Sequence, residues 1–546
     1  LIENNKTENK NQLQNNAGAT AVSLTLLGFL ARLWTASGTF LNPDEALHFR
    51  LANQPSLALA YKAALTAAHP PLYILFLHFW RVPGTSEISL RLPSVLAGTA
   101  FCWMFYKWLT KAAGSLAGLI GLLFVALLPP IVVLSAEVRQ YAFLLAFLAS
   151  ALYFLDEAFA ANSPVRMAAF SLFLYLAMLT HYSAFLFAAA LGIYALLRII
   201  TEPLPARLTA AWAVSQFGGL ALAMFLYKTH LSQLGVGDSR TALQGWMSEF
   251  YLQRSYFDPA HDNAVKFLVG HSFGVFQYFF GQLAVGIAMG IFFIAGVAIL
   301  LRAKESPGAR TSSRRLGIFL LVPFAIAGGL SLAHFYPYGG TRHVAFLIIP
   351  AVAGVSVAIA CLSVGSTGKN WYRGLAIAAL VLAACIAFGK RRQPRMERAD
   401  QSRTHMAAAL DFVRDNMKPS ELIFVDYQTD LMLGHYLCQQ RPIALDLSPA
   451  KFEQFACDGH RIVSSDYKTA WMFWADNFPT EWQRFLQSYN LKPGDTIWIF
   501  QAGWGVDLPA DLQKRFPEFH DLHSESFGKN IKIFKMKAGQ PMPATP

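Results

Sequence analysis

Asn42-Pro43-Asp44-Glu45, read together with His69-Pro70-Pro71-Leu72-Tyr73, lies in a polar and aromatic loop between the first two membrane-length apolar segments of the chain. A helix needs roughly 20 apolar residues to cross the hydrocarbon core of a bilayer. Working outward from the loop with that ruler, spans are expected near 20–40, 92–109, 115–135, 140–158, 166–181, 184–201, 208–227, 281–301, 316–334, 343–363 and 372–389. Residues 72–80 are apolar too, but a stretch of that length rises only ~15 Å, so it is expected to lie in the interface. The fold class that follows is a polytopic α-helical membrane protein of about 11 spans, with interfacial helices in the first external loop.

Composition agrees. Of 546 residues, 54% are hydrophobic and 14% charged, and the mean hydropathy is +0.36; a soluble domain carries about 25% charged residues. The net charge of +12 comes mostly from basic residues beside apolar spans. That placement is explained by membrane flanks and argues against nucleic acid as a partner. Residues 1–18, rich in Asn, Gln and Lys, are expected to form a disordered tail and do not have the pattern of a cleavable signal.

Residues 19–389 therefore form the membrane domain. Beyond it, residues 390–546 read as a small soluble α/β domain, with strands expected at Leu422–Val425, Ile443–Leu447, Thr496–Phe500 and Ile531–Phe534 and helices at 403–416 and 480–489. Cys102, Cys361 and Cys385 fall in apolar runs; Cys438 and Cys457 are placed to pair if this domain is extracytoplasmic. Orientation rests on Arg302, Lys304, Arg310, Arg314 and Arg315, with Lys107, Lys111, Arg166, Arg198 and Arg207 at the ends that alternation puts on the same side. Calling that side cytoplasmic puts the loops 41–91, 136–139, 228–280 and 335–342 outside. Lys390, Arg391, Arg392, Arg395 and Arg398 follow the last span and run against this assignment.

Away from their ends the spans carry one strong charge, Arg32, which is expected to pair with a loop carboxylate or to snorkel outward. The external loops instead hold Asp44, Glu45, His69, Glu137, Arg139, His181, Tyr182, Tyr338, Arg342 and His343. Polar groups gathered at one membrane face argue for chemistry at the surface rather than passage through it. Taken singly, each motif has an ordinary structural reading. Asn42 with Glu45 has capping-box spacing around a proline at the first helical position. Glu137 and Arg139 suit an exposed ion pair, Arg91 suits a snorkelling anchor, and His181-Tyr182 and Arg342-His343 suit interfacial anchors.

In order, Asp44-Glu45, His69-Pro70-Pro71-Leu72-Tyr73, Ser86-Glu87 with Arg91-Leu92-Pro93-Ser94, Glu137-x-Arg139-x-Tyr141 and Thr180-His181-Tyr182-Ser183 resemble the protein O-mannosyltransferase and aminoarabinose-transferase branch of the GT-C glycosyltransferases. The resemblance covers most of residues 20–350. It implies an inverting enzyme that takes a sugar from a polyprenyl-phosphate donor and passes it to a hydroxyl acceptor at the extracytoplasmic face. By that likeness Asp44 receives the acceptor proton, with Glu45 beside it. The position before the loop proline, often Lys in relatives, is His69 here and belongs near the donor phosphate, where an imidazole makes binding weaker or pH-dependent. Arg139 and Arg342 suit the phosphate, because a guanidinium stays charged and binds two oxygens; Tyr73, Glu137, Tyr141, His181, Tyr182 and His343 complete the expected binding set. No cofactor is required, although Asp44, Glu45 and His69 would admit a divalent metal if they converge. A polyprenyl-linked lipid or sugar flippase is the alternative, and would bring mid-membrane charges, broken helices and a repeat. Acceptor and sugar stay open: protein, lipid and glycan hydroxyls all fit.

Overall fold

Apolar segments that long have no choice but to be helical in a bilayer, where every backbone polar group must be satisfied internally. The computed structural model describes residues 2–234, 252, 254–303, 312–363, 371–391, 399–418, 421–438, 452–465, 474–504, 507–519 and 522–539, with side chains from residue 17 onward except at 371. The expected strand Ile443–Leu447 and the basic residues Lys304, Arg310, Arg392, Arg395 and Arg398 lie outside them.

Helix α1 (Ile2–Ser37) is followed in the first loop by α2 (Pro43–Ala52), α3 (Leu57–Ala64) and α4 (Leu72–Trp80), a short helix over the apolar stretch 72–80. The bundle continues through α5 (Glu87–Ala113), α6 (Ser115–Leu127), α7 (Pro129–Leu134), α8 (Tyr141–Ala160), α9 (Pro164–Met178), α10 (Ser183–Thr201) and α11 (Ala206–Thr229). It closes with α12 (Ala264–Phe280), α13 (Leu283–Arg302), α14 (Ser313–Leu332), α15 (Ile348–Ser363), entered by a 3₁₀ turn Arg342–Leu347, and α16 (Trp371–Phe388). Among the described residues, eight helices are long and apolar enough to cross a membrane, and Ser115–Leu127, Pro164–Met178 and Tyr372–Phe388 are apolar but shorter. Helix α1 runs back to Ile2, through the stretch whose composition predicts a disordered tail; its membrane-length part is Ala17–Ser37. Helix α12 lies inside the segment read as the external loop 228–280.

The expected span 115–135 is two helices, because Pro129 and Pro130 bring no N–H to the carbonyls of Val125 and Ala126 four residues earlier. Arg32 supplies the missing donors. Its Nη2 donates to the Val125 carbonyl at 2.8 Å and its Nη1 to those of Ala126 at 2.8 Å and Gly28 at 2.9 Å. A Cβ on Gly98 would stand 2.8 Å from Arg32 Nε, so glycine is what lets α5 approach. Arg32 thus neither snorkels nor meets a carboxylate; it is fully buried on the negative end of α6. The same logic recurs at Pro93, whose missing N–H frees the Ser89 carbonyl, and the Trp80 indole N–H donates to it at 2.8 Å.

Arg91 does not snorkel either. Asn42 and Glu45 form both halves of a capping box at the start of α2, and Arg91 meets Glu45 side-on: Nε donates to Oε1 and Nη2 to Oε2, each at 2.7 Å. Its remaining N–H groups donate to the carbonyls of Ala36 (2.7 Å), Thr39 (2.8 Å) and Phe40 (2.8 Å). The Val138 N–H donates to Glu45 Oε1 at 2.8 Å. One buried ion pair therefore joins the end of α1, the start of α2, helix α5 and the α7–α8 turn.

At the opposite end of the spans, Asp156 accepts from Trp108 (3.0 Å), Tyr194 (2.8 Å) and Arg198 (3.4 Å), Arg198 pairs with Glu202, and Glu202 with Arg315. Lys111 and Arg166 both pair with Glu157. Of the basic residues assigned to one side by alternation, Lys111, Arg166, Arg198 and Arg315 share this end.

The C-terminal domain comprises α17 (Arg403–Asn416), β1 (Leu422–Val425), α18 (Tyr427–Tyr436), β2 (Glu453–Cys457), β3 (His460–Ser464), α19 (Phe478–Ser488), β4 (Thr496–Gln501), α20 (Leu508–Arg515), β5 (Ser524–Ser526) and β6 (Lys532–Lys537). Its sheet runs β2-β3-β1-β4-β6-β5, with β3, β1 and β4 parallel. Cys438 and Cys457 form a disulfide. This domain shares one hydrophobic core with the first-loop helices, in which Phe40, Phe49, Leu77, Met406, Ile423 and Met432 are all buried. Arg50 of α2 donates to the Asp430 carboxylate at 3.1 Å, and a Cβ on Gly434 would lie 2.9 Å from its guanidinium. The Tyr436 hydroxyl accepts from the Leu41 N–H at 2.7 Å.

Two consequences are measurable. Removing one partner of a buried pair strands the other charge at a cost of about 3–5 kcal/mol, so Arg91→Ala should lower the melting temperature in detergent sharply. Arg91→Lys should not restore it, having no fork to reach Glu45 and three carbonyls together. Arg32→Ala should also destabilise, but by clearly less in a Pro129→Ala/Pro130→Ala background, where the backbone can satisfy its own carbonyls; equal losses in both backgrounds would contradict the capping role.

Candidate active site

Helix α2 begins at Pro43, so Asp44 sits in its first turn and is aimed by the same cap that buries Glu45. The turn before α8 supplies Arg139 and the 3₁₀ turn before α15 supplies Arg342. The three converge: Asp44 Oδ2 lies 2.6 Å from Arg342 Nη2 and 3.2 Å from Arg139 Nη1. Tyr141 lies under both cations, with its ring centroid 5.6 Å from the Arg139 guanidinium and 6.0 Å from that of Arg342.

A wall of imidazoles and Tyr73 faces this triad. His69 stacks on His181 at 4.9 Å, His181 lies 5.3 Å from Tyr141, and His48 lies 6.1 Å from His69 and 6.0 Å from Tyr73. Tyr73 is held at 3.4 Å from the Ser94 hydroxyl, which donates to the Arg139 carbonyl at 3.3 Å. His48 Nδ1 donates to the carbonyl of Asp44 at 2.7 Å. At His181 the Ser183 N–H donates to Nδ1 at 3.1 Å, so the proton of the neutral ring sits on Nε2, which is buried and has no partner. The buried Tyr141 hydroxyl, both amide atoms of Gln140 and the Thr341 hydroxyl also lack partners. Buried polar atoms are nearly always satisfied, so this collection beside one ion triad is the mark of a binding site.

The electrostatics are set by burial and by two cations against one carboxylate. Burial alone would raise the Asp44 pKa, but the guanidiniums of Arg342 and Arg139 outweigh it and hold the carboxyl well below the usual range. Burial, aided by Arg139, lowers His48 to about 3; burial with Arg139 and Arg342 lowers His181 to about 3. Burial, then His181 and Arg139, pushes His69 well below its ordinary value. These rings are neutral at pH 7.

Not every expected residue joins the group. Both Glu45 oxygens are filled by Arg91, Val138 and the Asn42 N–H, so Glu45 acts on the site by fixing α2. Glu137 is buried in the turn before α8, and Arg139 N–H donates to its carbonyl at 2.7 Å. Tyr182 turns away to His230 Nδ1 at 2.7 Å, and His230 Nε2 meets the Ala67 carbonyl at 2.9 Å. His343, by contrast, does join it: it follows Arg342 in the 3₁₀ turn, its ring lies within electrostatic reach of Arg342, His181, Arg139, Asp44 and His69, and its carbonyl accepts from the Tyr336 hydroxyl at 2.7 Å. Asp44, Glu45 and His69 do not converge as metal ligands. Among the described residues no group of three or more His, Cys, Asp or Glu is arranged to hold an ion. His48 and Gln140 are absent from the sequence expectation. His48 was signalled by its position four residues after Asp44, on one helix face; Gln140 carries no signal beyond lying between Arg139 and Tyr141.

Two cavities flank the group. One of about 540 Å³ runs along α12 and is lined by Lys266, His271, Gln277, Tyr278 and Gly340, two residues from Arg342. The other, about 370 Å³ and apolar, is formed by Tyr182, Phe185, Met224, Tyr227 and Leu231, with Lys228 at its edge.

A family model described as dolichyl-phosphate-mannose-protein mannosyltransferase matches residues 68–227, from the residue before His69 into the last turn of α11. A comparison with curated proteins finds no match. Among solved structures, ArnT from Cupriavidus metallidurans in the apo state is similar over 97% of this chain and 100% of that chain, with 12% identity and a TM-score of 0.52. The same protein bound to undecaprenyl phosphate gives 13% identity and a TM-score of 0.48 over 96% of this chain and 99% of that chain. The Archaeoglobus fulgidus oligosaccharyltransferase in complex with Zn and sulfate gives 10% identity and a TM-score of 0.46, covering 76% of this chain. This chain spans 61% of that oligosaccharyltransferase's length. This chain is therefore similar to the mannosyltransferase family over residues 68–227 and shares the fold of ArnT along that protein's whole length.

Proposed function

We propose that this protein transfers a sugar, with inversion, from a polyprenyl-phosphate carrier to a hydroxyl acceptor at the extracytoplasmic membrane face. The observation that carries the reading is the buried Asp44–Arg139–Arg342 triad, placed where the first loop meets the bundle and surrounded by unpartnered polar atoms. The matched family is named for a polyprenyl-phosphate sugar, which supports the donor class.

In this reading the guanidiniums of Arg139 and Arg342 bind the donor phosphate, and the His181 Nε2–H and Tyr141 hydroxyl add neutral donors. The acceptor oxygen attacks the anomeric carbon on the face opposite the phosphate. The bond from that carbon to the phosphate oxygen breaks, and the hydroxyl proton passes to the Asp44 carboxylate. The phosphate is already a good leaving group, so one carboxylate suffices, accepting the proton as the hydroxyl acidifies in the transition state. The isoprenoid tail lies in the apolar groove of Tyr182, Phe185, Met224 and Leu231, which the Tyr182–His230–Ala67 contacts tie to the His69 loop. The acceptor is a hydroxyl of a protein, a lipid or a glycan.

Sidedness rests on two supports. The disulfide of the C-terminal domain, which packs on the Asp44 end, suits an oxidising compartment. The basic network of Lys111, Arg166, Arg198 and Arg315 occupies the other end. A flippase would need an uncommitted mid-membrane charge, and Arg32 is committed to backbone carbonyls.

Asp44→Asn should lower transfer by about 100-fold or more in protein that still folds; near-normal transfer would remove Asp44 from the mechanism. A second expectation concerns pH. His48, His69 and His181 have folded pKa values below the ordinary value of about 6.5. Their contribution to stability is therefore complete above pH ~6.5 and is lost as the pH falls below it. The melting temperature should drop between pH 7 and pH 5, and His69→Gln with His181→Gln should flatten that drop; an unchanged slope would mean these rings are not buried neutral.

A further inference from the structure

Asp44 and a donor phosphate need the same two cations. Both guanidiniums reach a single carboxylate oxygen, at 2.6 and 3.2 Å. The carboxylate that could have relieved them, Glu45, is sealed against Arg91 and the Asn42 and Val138 N–H groups. The neighbouring groups that face the triad, namely Tyr141, Tyr73, His48, His69, His181 and His343, are rings and bring no second carboxylate. In this state Asp44 is a poor base, because two guanidiniums beside one of its oxygens stabilise the ionised carboxylate, and the cations are poorly available, because that carboxylate lies against them.

We propose that Asp44 is an internal stand-in for the donor phosphate, displaced from Arg139 and Arg342 when the phosphate binds, so that donor binding is what releases the base. The inference rests on the reading of Arg139 and Arg342 as phosphate ligands. A phosphodiester brings one negative charge to a triad whose net charge is one positive, so the loaded site is neutral. The guanidiniums then turn from carboxylate to phosphate, Asp44 loses the partners that depress its basicity, and the acceptor hydroxyl meets a competent carboxylate only once a donor is in place. Arg91 and Glu45 keep α2 fixed throughout, so the exchange requires side-chain rotation and no movement of the helix.

The consequence runs against the usual effect of deleting a site residue. With Asp44 neutralised, the arginines have no internal competitor, so Asp44→Asn and Asp44→Ala should bind undecaprenyl phosphate more tightly than the wild type, by about tenfold, and Arg342→Ala should bind it more weakly. Undecaprenol, which lacks the phosphate, should bind all of them alike. Binding is read by intrinsic fluorescence or microscale thermophoresis on full-length protein in nanodiscs, using whichever of the two Asp44 variants melts within a few degrees of the wild type. Affinity for undecaprenyl phosphate that is unchanged or weaker in that variant would overturn the exchange. Loss of transfer without tighter binding would leave Asp44 as base and remove the stand-in. Tighter binding with transfer retained would keep the competition and remove the base.

Discussion

Arg91 places all five of its N–H donors inside the protein, two on Glu45 and three on the carbonyls of Ala36, Thr39 and Phe40. A buried ion pair is stabilising only if its geometry is good and its remaining hydrogen-bonding capacity is filled; here both conditions hold. What the pair does for the molecule is positional. It fixes the first turn of α2 against the end of α1 and against the turn before α8, which are the two places from which Asp44 and Arg139 reach each other. Glu45 and Asp44 are adjacent in sequence and opposite in role. One is saturated by partners and immobile; the other is held by two cations that a ligand can compete for.

The same economy governs the backbone. Each proline that interrupts a helix near the site end leaves carbonyls without donors, and a specific side chain supplies them: Arg32 for Pro129 and Pro130, Trp80 for Pro93. The break after α6 matters for function, since it lets α7 bend and deliver Glu137-Val138-Arg139 to the site rather than continuing through the bilayer. Arg32, the strong charge within the spans, is thereby a structural cap bound to backbone carbonyls, which weakens the case for a flippase.

Much of the fold was legible because run length and composition are local properties. Most of the apolar segments, the short α4, the cap at Asn42 and the strand Leu422–Val425 stand where the residues alone put them. The polar set Asp44, His69, Arg139, His181 and Arg342 was legible as a gathering on one face. Its internal order was not, because which carboxylate faces which arginine depends on how turns far apart in sequence approach each other. Hence Arg91 read as a snorkelling anchor, Tyr182 as a site residue, and Glu45 as a partner of Asp44. Helix α12 was missed because its polar N-terminal flank and scattered glycines dilute the apolar signal. The β2–β3 hairpin was missed although Asp458-Gly459, with both residues at positive φ (49° and 81°), is a strong two-residue turn signal.

The C-terminal domain ceases to be an appendage once Arg50–Asp430 and Leu41–Tyr436 are considered. It buttresses α2, the helix that carries Asp44, so sheet and bundle form one support for that residue. The central claim is that the arginine pair of this supported site holds a polyprenyl phosphate. It is tested most directly by mass spectrometry of the lipid that co-purifies with the wild type and with an Arg139→Ala/Arg342→Ala variant. The account predicts a polyprenyl phosphate, with or without its sugar, in the wild type and its loss from the variant. Equal retention by both, or no such lipid in the wild type under conditions where the protein stays folded, would contradict it.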